Sequence, residues 1–236
     1  MSEGIYQAAA SLDLLSRLQE TLAQNLANAS TNGYRRRVGA AESFEGALRR
    51  AARLGIPRYG EAIDFAPGDV RETGSPLDLA LDGRGFFGVE TSAGVRYTRN
   101  GAFTLDAQGR IVAGDGARLL GKGGPIQIDP ARGPVVVSEN GEVRQDGEVR
   151  GTLRLDEFAD PRLLVPDETG RFQAPRGVEP RPSTPSRVRQ GYLEGSNVNV
   201  TEELVDMIAA FRSFEASQRA LLTSDRVREQ SLRSRP

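Results

Sequence analysis

Leu77-Asp78-Leu79-Ala80-Leu81-Asp82, running into Gly83-Arg84-Gly85-Phe86-Phe87-Gly88-Val89, is where the chain changes its hydrophobic period. Leu77, Leu79 and Leu81 alternate with Asp78, Ala80 and Asp82, which sets the leucines on one face of an extended strand. Upstream the apolar residues recur at helical spacing, and downstream they come in short runs. The stretch marks the entry into a β domain.

Those runs fall at Phe86–Val89, Val95–Thr98, Ala102–Leu105, Arg110–Ala113, Ile126–Ile128, Val135–Ser138, Glu142–Gln145 and Val149–Phe158. Asp115-Gly116, Asn140-Gly141 and Asp146-Gly147 separate several of them, and such pairs supply the positive φ angles that tight hairpins need. Strands at a spacing of roughly 8–12 residues leave no room for crossover helices. An antiparallel barrel or sandwich is expected.

Gly83 to Gly88 also fits G-x-G-x-x-G, but Val89-Glu90-Thr91-Ser92-Ala93-Gly94 follows, a strand and a turn where a nucleotide site needs a helix N-terminus. No nucleotide is expected there.

Before the β region, Ile5, Ala8, Leu12, Leu15, Leu22, Leu26 and Ala29 keep one heptad register, broken only by Gln19. This predicts a helix over most of residues 1–33, stopped by Asn32-Gly33. After it, Pro175 to Pro185 contains four prolines and reads as an extended connector. Thr201 is then the expected N-cap of a second helix, with Glu202 and Glu203 in its first turn. Along that helix Leu204, Met207, Phe211, Phe214, Gln218 and Leu221 occupy a and d positions, with Ile208 and Leu222 widening the stripe.

Each helix alone is readable as a surface helix on the β domain. Two stripes of similar length, one at each terminus and each with a polar residue in its seam, argue for pairing into a coiled-coil stalk. The expected fold is mixed and mainly β: a central antiparallel barrel- or sandwich-like domain flanked by N- and C-terminal helices. The boundaries are 1–33 for the first helix, 34–76 for a connecting segment, 77–172 for the β domain, 173–188 for the Pro-rich connector, and 189–236 for a return segment and the last helix. Arg35-Arg36-Arg37 and Arg49-Arg50, in the span 35–64, read as a helix, a hairpin, a loop that orders on assembly, or a solvated basic linker.

Composition narrows the chemistry. The 236 residues include no His, Cys or Trp. A Ser-His-Asp triad, a thiol nucleophile, a disulfide and a zinc site of the usual ligands are all excluded. With 31 Lys plus Arg against 32 Asp plus Glu, the net charge is −1, too little cation for a non-specific nucleic-acid binder. All the cations but Lys122 are arginines, which favour planar, forked ion pairs. Lys122 lacks a Ser-x-x-Lys context, so a Ser-Lys hydrolase is unsupported as well.

Asn28-Ala29-Ser30 and Asn199-Val200-Thr201 fit the N-glycosylation pattern, but both sit at helix boundaries and read better as caps. No apolar run approaches the roughly 18 residues that span a bilayer. The first residues carry no basic segment followed by an apolar core, so a cleaved signal peptide is not expected. Acidic residues are plentiful, and a glycan-binding or glycan-hydrolysing β domain with helical arms stands as the alternative reading.

Four blocks carry a family likeness. Asn25-Leu26-Ala27-Asn28-Ala29-Ser30-Thr31-Asn32-Gly33-Tyr34-Arg35 resembles the N-terminal signature of bacterial flagellar rod and hook proteins. Thr73 to Phe87, which includes Gly85 and Phe86, resembles a second block of that family. Tyr97-Thr98-Arg99-Asn100-Gly101-Ala102-Phe103-Thr104-Leu105-Asp106 resembles a third, and Gln190 to Asn199, which includes Ser196 and Asn197, a fourth. The blocks keep the family's order and span nearly the whole chain. Length and the absence of a large second β domain favour the rod members over the hook protein.

The resemblance implies a non-enzymatic structural subunit without cofactor or metal. Its terminal helices would form the inner coiled-coil layer of a helical tube, with the β domain outside. Ile5, Leu12, Leu15, Leu22 and Leu26 would meet Leu204, Met207, Phe211, Phe214 and Leu221 within or between subunits. The implied partners are other copies, adjacent rod proteins and the flagellar export apparatus; no nucleic acid or small-molecule substrate is implied. The implied place is the basal body, in the rod that spans the periplasm, reached without a cleaved signal. Phe211-Arg212-Ser213-Phe214-Glu215 departs from the Gln-Arg-Ala-Tyr-Glu-like run of distal rod members and leans toward the proximal type.

Overall fold

The computed structural model describes residues 3–39, 61–167, 169–183 and 186–233. The described residues form two α-helices, α1 (Glu3–Ala27) and α2 (Val200–Arg233), and short β-strands between them. The chain divides into two compact units: Met1–Ala29, Arg36–Asp64 and Val198–Pro236 form one, and Ser30–Arg35 with Phe65–Asn197 the other.

In the first unit α1 and α2 pack against each other. A small antiparallel pair, Arg37–Gly39 with Glu61–Ile63, belongs to the same unit. Neither helix is long and apolar enough to cross a membrane, judged on the described residues. The N-cap of α2 is Asn199, not Thr201. Asn199 Oδ1 accepts from the Thr201 N–H at 3.1 Å, so Asn199 satisfies a free helix donor and Thr201 lies inside the first turn.

The second unit is the β body. Its largest sheet runs in the order Val165–Pro166, Phe172–Gln173, Gly94–Thr98, Phe86–Thr91, Arg118–Gly121, Ile111–Ala113 and Phe103–Leu105. The two end strands of this path do not pair, so the sheet stays open. Of the expected barrel or sandwich, the barrel is corrected: the strands form an open antiparallel sheet with smaller sheets in the same unit. A three-stranded sheet holds Val135–Val137, Glu142–Gln145 and Glu148–Thr152. One core joins them, built on Leu79, Phe87, Val89, Ile111, Leu119, Val143 and Leu153.

Asp115-Gly116, Asn140-Gly141 and Asp146-Gly147 each turn a hairpin, as expected. At the tightest, Asp146 (φ 52°) and Gly147 (φ 78°) both adopt left-handed geometry, as a two-residue turn of the primed class requires. Several strand expectations change. Leu79, Ala80 and Leu81 are all buried, because both faces of this strand are covered. Ile126–Ile128 makes only a single bridge, Gln127 to Arg110. Val149–Phe158 breaks in two, since the chain leaves its partner at Glu142–Gln145 and joins Phe86–Thr91 through Leu155–Glu157.

Segments expected to be connectors add strands to the β body. Arg187–Gln190 pairs with Leu79–Asp82, and Tyr192–Glu194 pairs with Val70–Glu72. Within the Pro-rich stretch, Arg181–Pro182 pairs with Leu155–Glu157. Two of these strands pair across more than 100 positions and the third is two residues long, so none carries a local hairpin signal, which is why they read as linker.

Candidate functional site

The residues singled out in sequence fall into two helical faces and two buried polar clusters. On α1, Leu22 is buried, while Leu12, Leu15 and Leu26 are half-buried. Leu14 and Leu18, absent from the expected stripe, share that partial burial. Ile5 lies in the helix, but its side chain is outside the described ones.

On α2 the buried seam is Glu203, Met207, Ala210, Phe214, Ser217 and Leu221, each buried or half-buried. The spacing alternates four and three, as a helix seam should, but half of its members are small or polar. Leu204 and Phe211, expected in the seam, are 44% and 52% exposed. They belong with Ile208 and Leu222 to a second apolar stripe one position further round, which this chain leaves open. Apolar letters point to the open stripe, so sequence reading missed the Ala and Ser positions of the buried one.

The first cluster centres on Glu203, whose side chain is 0% exposed. Its carboxylate accepts from Asn25 Nδ2 at 3.1 Å and from Arg36 Nε. Asn25 also pairs with the main chain of Arg37: its Nδ2 donates to the Arg37 carbonyl at 2.7 Å and its Oδ1 accepts from the Arg37 N–H at 2.9 Å. A carboxamide carries one donor side and one acceptor side, so Asn25 serves Arg37 as a neighbouring peptide group would. Thr21 Oγ1 donates to Glu61 at 2.7 Å. Burial opposes the charge on Arg36, but the Glu203 hydrogen bond and carboxylate, with Asp206 and Glu202, outweigh it and raise the guanidinium pKa.

The second cluster, in the β body, centres on Glu194. Oε1 accepts from Arg35 Nη2 at 2.6 Å and from the Gly68 N–H at 3.1 Å, and Oε2 accepts from Arg99 Nε at 2.8 Å. The remaining Arg99 donors reach the carbonyls of Leu81, Gly83 and Gly85. Burial, and the neighbouring Arg35 charge, push the Arg99 pKa below its ordinary value despite Glu194. Of the readings left open for Arg35-Arg36-Arg37, the solvated basic linker does not hold: all three arginines are committed, to Glu194, Glu203 and Glu61. Arg49-Arg50 lies outside the described residues.

The other signature residues hold backbone close to backbone. Gly33 (φ 68°) donates to the Glu194 carbonyl at 2.8 Å, and a Cβ there would lie 2.2 Å from the Asn100 nitrogen. A Cβ on Gly101 would lie 1.6 Å from the Leu79 carbonyl oxygen. Asn100 Oδ1 accepts from the Ala102 N–H at 3.0 Å, shaping the turn between them. Gly85 donates to Ser186 Oγ at 2.9 Å, and Phe86 packs edge-on to Phe65, Phe158 and Phe172. Asn28 Nδ2 donates to the Gln24 carbonyl, Asn32 accepts from Arg71, and Asn197 Nδ2 donates to the Ala66 carbonyl. Ser196 is half-buried. Each cluster sets a local shape through buried ion pairs and hydrogen bonds.

Residues 80–145 match the family model described as "Flagellar hook protein FlgE/F/G D1 domain". Residues 189–234 match "Flagellar basal body rod FlgEFG protein C-terminal". The chain is 31% identical over 227 residues to the flagellar basal-body rod protein FlgF of Caulobacter vibrioides, covering 92% of this chain and 91% of that one. It is 31% identical to FlgF of Escherichia coli, over 95% of each chain. It is 27% identical to the flagellar basal-body rod protein FlgG of Bacillus subtilis, over 96% of this chain and 97% of that one. Likeness of this extent, joined to the Asn25 and Glu194 clusters built from the signature residues themselves, places the chain in the flagellar basal-body rod protein family.

Proposed function

We propose that the chain is a structural subunit of the flagellar basal-body rod, without catalytic activity or cofactor, and that its terminal helices join those of neighbouring copies and adjacent rod proteins in a coiled-coil layer. The observation that carries this is the open stripe of Leu204, Ile208, Phe211 and Leu222 on α2. Apolar side chains at helical spacing favour burial against another helix, at about 25 cal/mol per Å² removed from water. Head-to-tail repetition of such contacts does not close on itself and yields a helical shaft that carries torque.

The proximal rod type is favoured by the Phe211 to Glu215 run and by the FlgF relatives. The chain would reach the rod through the flagellar export apparatus with its N-terminus uncleaved. Phe211→Asp tests the assembly reading: the purified chain keeps its circular dichroism spectrum, and the variant is missing from isolated basal bodies. Wild-type incorporation and motility of that variant would sink it. Electron microscopy of basal bodies from a deletion strain tests the rod type, with a rod cut short at its base as the proximal outcome and loss of only its far end as the distal one.

A further inference from the structure

The β body holds a cleft of about 700 Å³ that neither polar cluster fills. Part of its lining is aromatic: the Phe86 ring lies 6.0 Å from both Phe65 and Phe158, centroid to centroid. The charged part of the lining is mainly cationic. Arg35, Arg84, Arg99 and Arg189 line it against only Asp82 and Glu194, a surplus of two positive charges. Arg35 and Arg99 share the one Glu194 carboxylate, and Arg35 Nε and Nη1 have no hydrogen-bond partner among the described residues. Arg84 and Arg189 have no carboxylate partner among them either; Arg189 lies 4.1 Å over the Tyr192 ring.

This lining suits a carboxylate carried on apolar framework. A bare inorganic anion would satisfy the guanidinium groups and leave the half-buried Phe65 and the exposed Val70 wet, whereas an acidic peptide surface covers both. The same chain exposes a surface of that kind. Glu202, Val205 and Asp206 stand at i, i+3 and i+4 on one face of α2, and Val205 is 61% exposed. Asp206 makes only a long 3.7 Å contact with Arg36. This face is distinct from the Leu204–Phe211 stripe.

We propose that the cleft receives the Glu202–Val205–Asp206 face of a second copy of this chain, its two carboxylates on Arg84 and Arg189 and Val205 against Phe65 and Val70. Two negative charges then meet a surplus of two positive ones. The contact joins different surfaces of the two copies, so it repeats without closing. It rests on the reading above only in that copies must meet.

The chain contains no Cys, so introduced thiols are unambiguous. In cells carrying Arg84→Cys with Val205→Cys, mild oxidation before basal-body isolation is expected to give a ladder of disulfide-linked multimers on a non-reducing gel. Either substitution alone gives dimers at most. Basal bodies that hold the double variant at the wild-type level and show no ladder overturn the contact while leaving the rod-subunit reading intact. Should the double variant fail to incorporate, charge exchange decides. Arg84→Glu with Arg189→Glu is expected to lower incorporation about tenfold, and adding Glu202→Arg with Asp206→Arg to restore most of it. No loss in the first pair, or no restoration by the second, overturns the proposal.

Discussion

Asn25 and Glu203 stand 178 positions apart in the chain, and the carboxamide of one donates to the fully buried carboxylate of the other at 3.1 Å. The hydrogen bond joins the C-terminal end of α1 to the first turn of α2. Asn25→Asp would set a second carboxylate against Glu203, and Glu203→Ala would leave Arg36 without its main partner. Each is expected to destabilise the helical unit by about 2–3 kcal/mol, read as a lower midpoint for the loss of helix signal in urea. Asn25→Asp as stable as the wild-type chain would show that the hydrogen bond carries no weight.

Space and backbone conformation separate two glycines. Gly101 has Leu79 carbonyl oxygen where its Cβ would go, whereas Gly74 (φ 73°) has nothing within 4 Å. Gly101→Ala should cost the β body about 3 kcal/mol or more through forced movement of the strand, and Gly74→Ala about 1 kcal/mol through conformation alone. Equal losses in denaturant titrations would contradict this account.

The buried and open faces of the helices predict opposite outcomes. Leu22→Ala removes a buried side chain and should lower stability by about 2–3 kcal/mol. Phe211→Ala, at a position 52% exposed, should leave the isolated chain within about 0.5 kcal/mol of wild type while reducing its incorporation into basal bodies. Thermal melts and basal-body immunoblots read the two effects separately.

Acid should expose the ion pair of Asp115 with Arg171. The Arg171 hydrogen bond holds the Asp115 carboxyl below its ordinary value, and burial opposes this only in part. The folded state therefore prefers the ionised form. The stability this confers is complete above the unfolded pKa, about 3.9, and is lost as pH falls through the lower folded value. The stability gap between wild type and Asp115→Asn should be widest near about pH 6 and should shrink steadily below about pH 4. A gap independent of pH would show that the pair does not control the difference.

The parts of the fold set by near neighbours were legible in sequence. The hairpins at Asp115-Gly116, Asn140-Gly141 and Asp146-Gly147 and both helices follow from local rules. Pairing of Val70–Glu72 with Tyr192–Glu194 was not legible, because each strand is three residues long and its partner is remote. The α2 seam was hidden for another reason. Glu203, Ala210 and Ser217 look like surface letters, and only the third dimension shows what covers them. The arginines at 35 to 37 misled in the same way, since their carboxylate partners Glu61, Glu194 and Glu203 all lie far along the chain.

The pairing of Asn25 with the Arg37 main chain also indexes α1 about its own axis. A seam rich in Ala, Ser and half-buried Leu discriminates weakly between neighbouring rotations of a helix. A slip of one residue would swing the Asn25 carboxamide by about 100° and forfeit its bonds to both Arg37 and Glu203 together. Only one angular setting keeps them. In a shaft made of repeated subunits, a small angular error in each would accumulate from copy to copy, and a keyed helix keeps successive copies in step.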